Sequence, residues 1–337
     1  MVVVEVVTVT QEQIDRQRDG YDVVVIGGGA AGLSAAMVLG RARRSVVVID
    51  AGAPRNAPAE GVHGFLSRDG ISPAELVAKG REEVRHYGGV LLDDEARGAR
   101  RIDTGFEVDL ANGTSVTGRR LLVTTGLVDE LPDLPGVRER WGREVLHCPY
   151  CHGWEVRDQA IGVLGTSAFA VHQALLFRQW SADVVLFVHT GPAPTADAAE
   201  RLAALGITVV EGTVAGLEVT DDRLSGVRLL DGAVVARDAV TVTPRFEARS
   251  QVLASLGVHP VEHPLGVGQH IVADPAGLTG SPGVWVAGNV TDLMAQVVMV
   301  AASGVTVAAA INADLIAEDT QRAVDIHRES GSPTRER

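Results

Sequence analysis

Asp22-Val23-Val24-Val25-Ile26-Gly27-Gly28-Gly29-Ala30-Ala31-Gly32 decides the fold. An unbroken β-branched run of this kind suits a strand covered on both faces. The glycine turn that follows opens a helix-forming stretch over 33–43 and a second strand over 45–49, closed by Asp50. In a strand, glycine turn and helix of this spacing, Gly27 makes the tight turn and Gly29 lets a pyrophosphate approach the backbone. Gly32 lets helix and strand pack closely, and Asp50 can bind a ribose hydroxyl. The helix start supplies the anion site. A glycine turn with no ligand is the plain alternative, and every part of the fingerprint being present weighs against it.

The pattern occurs again further on. Ala160-Ile161-Gly162-Val163-Leu164-Gly165 leads into a helical stretch over 168–180 and a returning strand over 183–188. Strands alternating with helices predict a parallel sheet in each unit, hence an α/β chain of two Rossmann-like three-layer domains. Between them, Ser72-Pro73-Ala74-Glu75 opens a helix to about Tyr87. Strands over 106–110 and 114–117 flank the Asn112-Gly113 turn signal, and 120–125 reads as another buried strand. Prolines and glycines mark 129–142 as a linker, and Thr243-Pro244-Arg245 as a second. A strand over 283–287 precedes a long small-residue helix, after which the charged end is expected to fray.

Composition narrows the function. The chain has 337 residues, 46% of them hydrophobic, enough for two cores. Its net charge of −13 opposes a phosphate backbone, so nucleic acid is set aside as a partner. The single lysine, Lys79, opens no P-loop. The Val-rich start has no preceding basic residues and no cleavage site, and 295–311 is interrupted by polar residues and falls short of a bilayer span. A cytoplasmic protein without a membrane partner is the expectation.

The only two cysteines, Cys148 and Cys151, enclose Pro149-Tyr150 and are followed by His152. Two cysteines cannot staple a secreted scaffold. Zinc would need two further ligands, and no His-x3–5-His pair lies beside them; no metal is expected. The haem-attachment pattern C-x-x-C-H also fits the letters, but belongs to exported proteins. An inert buried pair is the bland reading. Cycling between dithiol and disulfide is the favoured one. His152 beside the pair can take a proton from an incoming thiol, against the alternative of a hydrogen-bonded structural histidine.

Together these residues resemble the low-molecular-weight thioredoxin reductase family from Tyr21 to about Ile316, through the glycine fingerprint, Thr124-Thr125-Gly126, the cysteine pair and Gly283-Val-Trp-Val-Ala-Gly-Asn-Val290. The resemblance implies FAD as cofactor, held by a discontinuous domain. It divides the chain into an N-terminal extension (1–20), a first FAD-binding part (21–128), a degenerate NAD(P)-binding-like domain carrying the cysteines (129–247), a second FAD-binding part (248–318) and a charged tail (319–337). Carried over, the cofactor residues are Gly27, Gly29, Ala31, Gly32, Asp50, Ala51, Arg55, His63, Gly126, Gly288, Asn289, Gln296 and Val297. His63 would lie near the flavin, with a plain surface-loop histidine as the alternative. Asn289 stands where the family usually has aspartate, and an amide can still bond a hydroxyl.

The second unit departs from the reductases. Its turn, Gly165-Thr166-Ser167-Ala168-Phe169-Ala170, has serine in place of the second glycine, and His189-Thr190-Gly191-Pro192 brings no arginine for a 2′-phosphate and no acid for a ribose. With histidine after C-x-x-C, the chain resembles the branch containing the dithiol oxidases of gliotoxin and holomycin biosynthesis. That resemblance implies a small-molecule dithiol as substrate, O2 as acceptor giving H2O2, and a homodimer. It also implies exchange at Cys148, a flavin-side Cys151 and a proton acceptor in His152. The alternatives are an NADPH-dependent thioredoxin or disulfide reductase, and a flavin-bound redox sensor or dithiol-binding resistance protein.

Overall fold

A computed structural model describes residues 20–330; all but the last residue of the expected N-terminal extension, and the expected tail beyond 330, lie outside the described residues. The chain forms two compact units. The first takes 20–54, Ala74–Val128 and 248–330; the second takes Arg55–Pro73 and Asp129–Glu247.

In the first unit the parallel strands run Val90–Asp93, Val46–Asp50, Tyr21–Ile26, Ser115–Val123 and Val284–Val286. A hairpin of Ala96–Ile102 and Gly105–Leu110 pairs antiparallel with the near end of Ser115–Val123. Val23, Val24 and Val25 are each fully buried. Val23 and Val25 face Leu39, Ile311 and Leu315, while Val24 packs with Phe106, Val108 and Leu253. Both sheet faces are therefore covered, which is why the strand needs no polar alternation. Each such side chain contributes about 1.5 kcal/mol or more on burial.

Two expectations are corrected here. The separate strands expected over 114–117 and 120–125 are one, Ser115–Val123, because Tyr21–Ile26 pairs along it in one constant register from Gly118 to Val123. Arg119 and Arg120 are accommodated by carboxylates: Arg119 on Asp22 at 2.9 Å, Arg120 on Glu318 at 2.6 Å. The two arginines also hold the far end of the chain, Arg119 reaching Glu318 at 3.1 Å beside Arg120. The helix expected to fray near 318 runs Val297–Ser330, with Asp319 bound to Arg44 at 2.7 Å as well.

By length and mean hydropathy (1.6) that helix does meet the composition of a bilayer span, contrary to the sequence expectation. Val307, Ala308, Ile311 and Leu315 are nonetheless buried in the core of the first unit, packed with residues of the helix Ala30–Arg41.

The second unit has five parallel strands in the order Thr208–Val210, Val184–Phe187, Ile161–Leu164, Ala239–Thr241, Val145–Leu146. An antiparallel ribbon, Val214–Thr220, Arg223–Leu229 and Val234–Val235, joins the core formed by Phe187, Leu164 and Val240. The expected linker 129–142 is better ordered than its prolines suggested. It contains a helical turn, Val137–Arg140, pinned by Arg140, 3% exposed, on Glu144 (2.8 Å) and Asp222 (2.6 Å).

Candidate functional site

In the first unit the turn after Tyr21–Ile26 is built as the fingerprint requires. Gly27 has φ +106°, and its carbonyl accepts the Thr124 hydroxyl at 2.8 Å. A Cβ on Gly32 would collide with the Gly27 carbonyl oxygen, so helix Ala30–Arg41 can sit against the turn only with glycine there. At Gly29 the situation is opposite: a Cβ would meet nothing within 4 Å. Gly29 is the N-cap of the helix and no side chain caps it, leaving its first amides free for an anion. Asp50 ends the second strand and accepts the Gly28 N–H at 3.1 Å, with Arg81 3.6 Å from its other oxygen.

The closing segment lies in the same unit. Gly288 has φ +79° and donates its N–H to Ser303 at 3.0 Å. Asn289 donates from its amide nitrogen to the carbonyls of Asp292 (2.9 Å) and Ala295 (3.0 Å), leaving its side-chain oxygen toward other donors. Val297 starts the long helix, immediately after Gln296. Gly126 has φ +69° and open space around it, Ala31 is buried in the helix, and Ala51 is exposed. An open backbone cradle at an uncapped helix start, with a carboxylate at the end of the neighbouring strand, fits a dinucleotide of the FAD kind.

Two residues expected at the cofactor belong to the second unit. Arg55 is held bidentately by Asp129 at 2.7 and 2.6 Å, its guanidinium 5.2 Å from the Phe246 ring. His63 sits in a loop closed by a bridge between Val62 and Ile71, with Nδ1 3.5 Å from Asp69 and Nε2 3.4 Å from Glu155.

Cys148 and Cys151 are joined as a disulfide, Cα atoms 5.2 Å apart, about a single helical turn, Pro149–His152. Pro149 at the first position presets the turn, and Cys148 accepts the N–H groups of Cys151 (3.3 Å) and His152 (3.1 Å). Among the described residues no group of three or more His, Cys, Asp or Glu could hold a metal. His152 is half-buried; desolvation pushes its pKa below the ordinary value, Glu155 pulls it up and His63 pulls it down. A neutral imidazole beside the disulfide is in the state that accepts a proton.

Sequence reasoning missed three residues here. His147 precedes Cys148; its Nδ1 is 3.1 Å from the Val242 carbonyl, and its pKa is lowered by burial first. Its own carbonyl accepts from Gln173, which is 2% exposed. Glu155 stands one helical turn beyond His152, a spacing that could have flagged it. Asp69 carried no signal. Tyr150 (64% exposed) and Trp154 (65%) border the pair as large open aromatic surfaces.

The second unit's glycine turn is covered by its own chain. The Gly191 N–H donates to the Gly165 carbonyl at 2.8 Å, and the Ser167 hydroxyl accepts the Phe169 N–H at 3.3 Å. His189, at φ +49°, accepts the Val214 N–H at 3.1 Å.

Comparison with known proteins agrees with this architecture. The family profile of the pyridine nucleotide-disulphide oxidoreductases matches residues 21–308. The crystal structure of HlmI superposes with a TM-score of 0.86 at 50% identity, covering 93% of this chain and 98% of that one. Thioredoxin reductase tcpT of Claviceps purpurea is 30% identical over 80% of this chain and 86% of its own. A probable thioredoxin reductase of Arthroderma benhamiae is 34% identical over half of this chain, a match spanning 44% of that protein's length. The fold is thioredoxin reductase-like. The protein is an oxidoreductase, and its chain belongs to the pyridine nucleotide-disulphide oxidoreductase family.

Proposed function

We propose that the protein is an FAD-dependent dithiol oxidase that closes an intramolecular disulfide in a small-molecule dithiol, with O2 as acceptor: R(SH)2 + O2 gives R(S–S) + H2O2. The observation that carries this reading is the Cys148–Cys151 disulfide with a half-buried histidine, His152, directly after it. Higher identity to HlmI (50%) than to the thioredoxin reductase tcpT (30%) supports a branch apart from the reductases. So does the second glycine turn, where the Gly191 amide takes up the Gly165 carbonyl and serine replaces glycine at 167.

The residues act in sequence. His152 takes the proton of the first substrate thiol, and the thiolate attacks Cys148 Sγ; the Cys148–Cys151 bond breaks and Cys151 leaves as thiolate. The second substrate thiolate attacks the substrate sulfur of this mixed disulfide, releasing cyclic product and the Cys148 thiolate. The cysteine pair then carries the two electrons. Bound FAD supplies the acceptor that restores the disulfide and the place where O2 is reduced. Gly27 to Gly32, Asp50, Gly288, Asn289, Gln296 and Val297 would hold it; Ala31, Ala51 and Gly126 belong to the same set. A holomycin-like substrate, a homodimer and a cytoplasmic setting go with the reading by resemblance.

Aerobic incubation with a dithiol, following peroxide and flavin absorbance, tests it. Peroxide formation with dithiol and no bleaching by NADPH are expected, with Cys148→Ser and Cys151→Ser both inactive. Bleaching by NADPH and none by dithiol would make the protein a reductase, and binding of dithiol without turnover would make it a sensor.

A further inference from the structure

The loop 62–71 brings a second histidine and two carboxylates to the neighbourhood of His152. Asp69 is fixed by the Gly64 N–H, which donates to its Oδ1 at 2.8 Å. Its other oxygen lies 3.5 Å from His63 Nδ1, so the opposite ring nitrogen, Nε2, is turned to Glu155 at 3.4 Å. Glu155 bears on His152 as well: the charged groups acting on the His152 ring are Glu155 and His63. Glu155 follows His152 by three residues and touches His63, and the His63 imidazole has a second carboxylate, Asp69, on its far side. The series begins at a half-buried ring beside the disulfide and ends at Asp69, 69% exposed. Asp69 is kept ionised, first by the Gly64 amide and then by His63. Acid–base groups set in series, with water bridging any that do not touch, are how a proton leaves a partly desolvated site.

We propose that Glu155, His63 and Asp69 form a proton exit from His152, in which Glu155 and His63 are positioning residues for the thiol-deprotonating step. This rests on the dithiol oxidase reading and extends it. The exchange releases a proton for each substrate thiolate formed, and His152 must shed the first before it can accept the second. The proton passes from His152 to Glu155, on to His63 Nε2, and leaves from Nδ1 by way of Asp69 to water. No electrons move along this path.

The test uses the holoprotein without oxygen and dithiothreitol as the dithiol, reading loss of the Cys148–Cys151 disulfide by alkylation and mass spectrometry across pH. Reduction should fall toward acid as His152 protonates. Glu155→Gln removes the charge that favours protonated His152, so the acid limb should move down by about half a pH unit or more. His63→Ala should slow exchange in dilute buffer, and added imidazole should restore it. NMR titration of the His152 ring gives the same shift without reference to turnover. Wild-type exchange with an unmoved limb in Glu155→Gln, or a His63→Ala defect that imidazole leaves untouched, overturns the relay while the oxidase reading stands. A wild-type disulfide that dithiothreitol does not reduce at any pH overturns both.

Discussion

Glycines 29 and 32 are three positions apart and have opposite requirements. At Gly32 the missing side chain is demanded by the protein's own backbone; at Gly29 no protein atom competes for the space. Gly32→Ala is therefore expected to destabilise the first unit by about 2 kcal/mol or more. Gly29→Ala should keep the apoprotein within about 1 kcal/mol of wild type, yet purify with less flavin. Thermal unfolding of the apoproteins and the ratio of flavin to protein absorbance separate the two effects. If Gly29→Ala binds flavin as wild type does, the cradle lies elsewhere. The sequence pattern named both glycines without distinguishing their causes, since spacing alone does not say what a Cβ would meet. The cysteine pair and His152 were readable because they are contiguous. Glu155 and Asp69 were not: Asp69 meets His63 inside a loop closed by the Val62–Ile71 bridge, and Glu155 meets it from far along the chain.

Elements were read well where one local pattern governs them. The strand Tyr21–Ile26, the helix Pro73–His86 and the Asn-Gly hairpin follow from runs, caps and turns a few residues long. Reading failed where distant partners decide. The sequence reads 114–117 and 120–125 as two strands because the partner that runs along both, Tyr21–Ile26, is distant in the chain; Arg119 and Arg120 are held there by carboxylates from its far end. The same pairings explain why Val297–Ser330 outlasts its expected end. That helix has a further constraint at Gly304, where a Cβ would run into the Ala31 carbonyl of helix Ala30–Arg41. Gly304→Ala should push the two helices apart, lowering the thermal midpoint by about 1.5–3 °C, what about 1–2 kcal/mol produces in a chain of this size. Flavin content should fall with it, because Ala31 follows directly on the glycine turn. An unchanged midpoint would mean that the helices yield without cost.

For the whole molecule, the titration of buried groups sets how stability responds to pH. His147, His152 and His189 are each held below the ordinary 6.5, with burial the largest cause in every case. The unfolded chain thus binds protons that the folded chain refuses. Stability is complete above about pH 6.5 and declines as pH falls below it. Glu144 and Asp319, and Glu318 against the opposing effect of its own burial, are lowered by their arginine partners and extend the decline below the ordinary 4.5 and 3.8 of free carboxylates. Thermal midpoints should drop between about pH 7.5 and about pH 5.5, with a shallower slope in His147→Gln. A flat profile would show that the folded and unfolded chains bind protons alike, with these rings at their ordinary pKa in the native protein.

The order of strands along the sheet also has a consequence for how the chain is made. Leu121–Val123 emerges from the ribosome with one edge waiting for Val284–Val286, and the whole of Asp129–Glu247 is synthesised in between. The second unit's parallel sheet can therefore close while the first is still missing a strand and its longest helix. Nascent chains halted before residue 284 would present an unpaired apolar edge. Chaperone capture of such chains, released once Val284–Val286 has been made, would place cofactor loading at the end of synthesis.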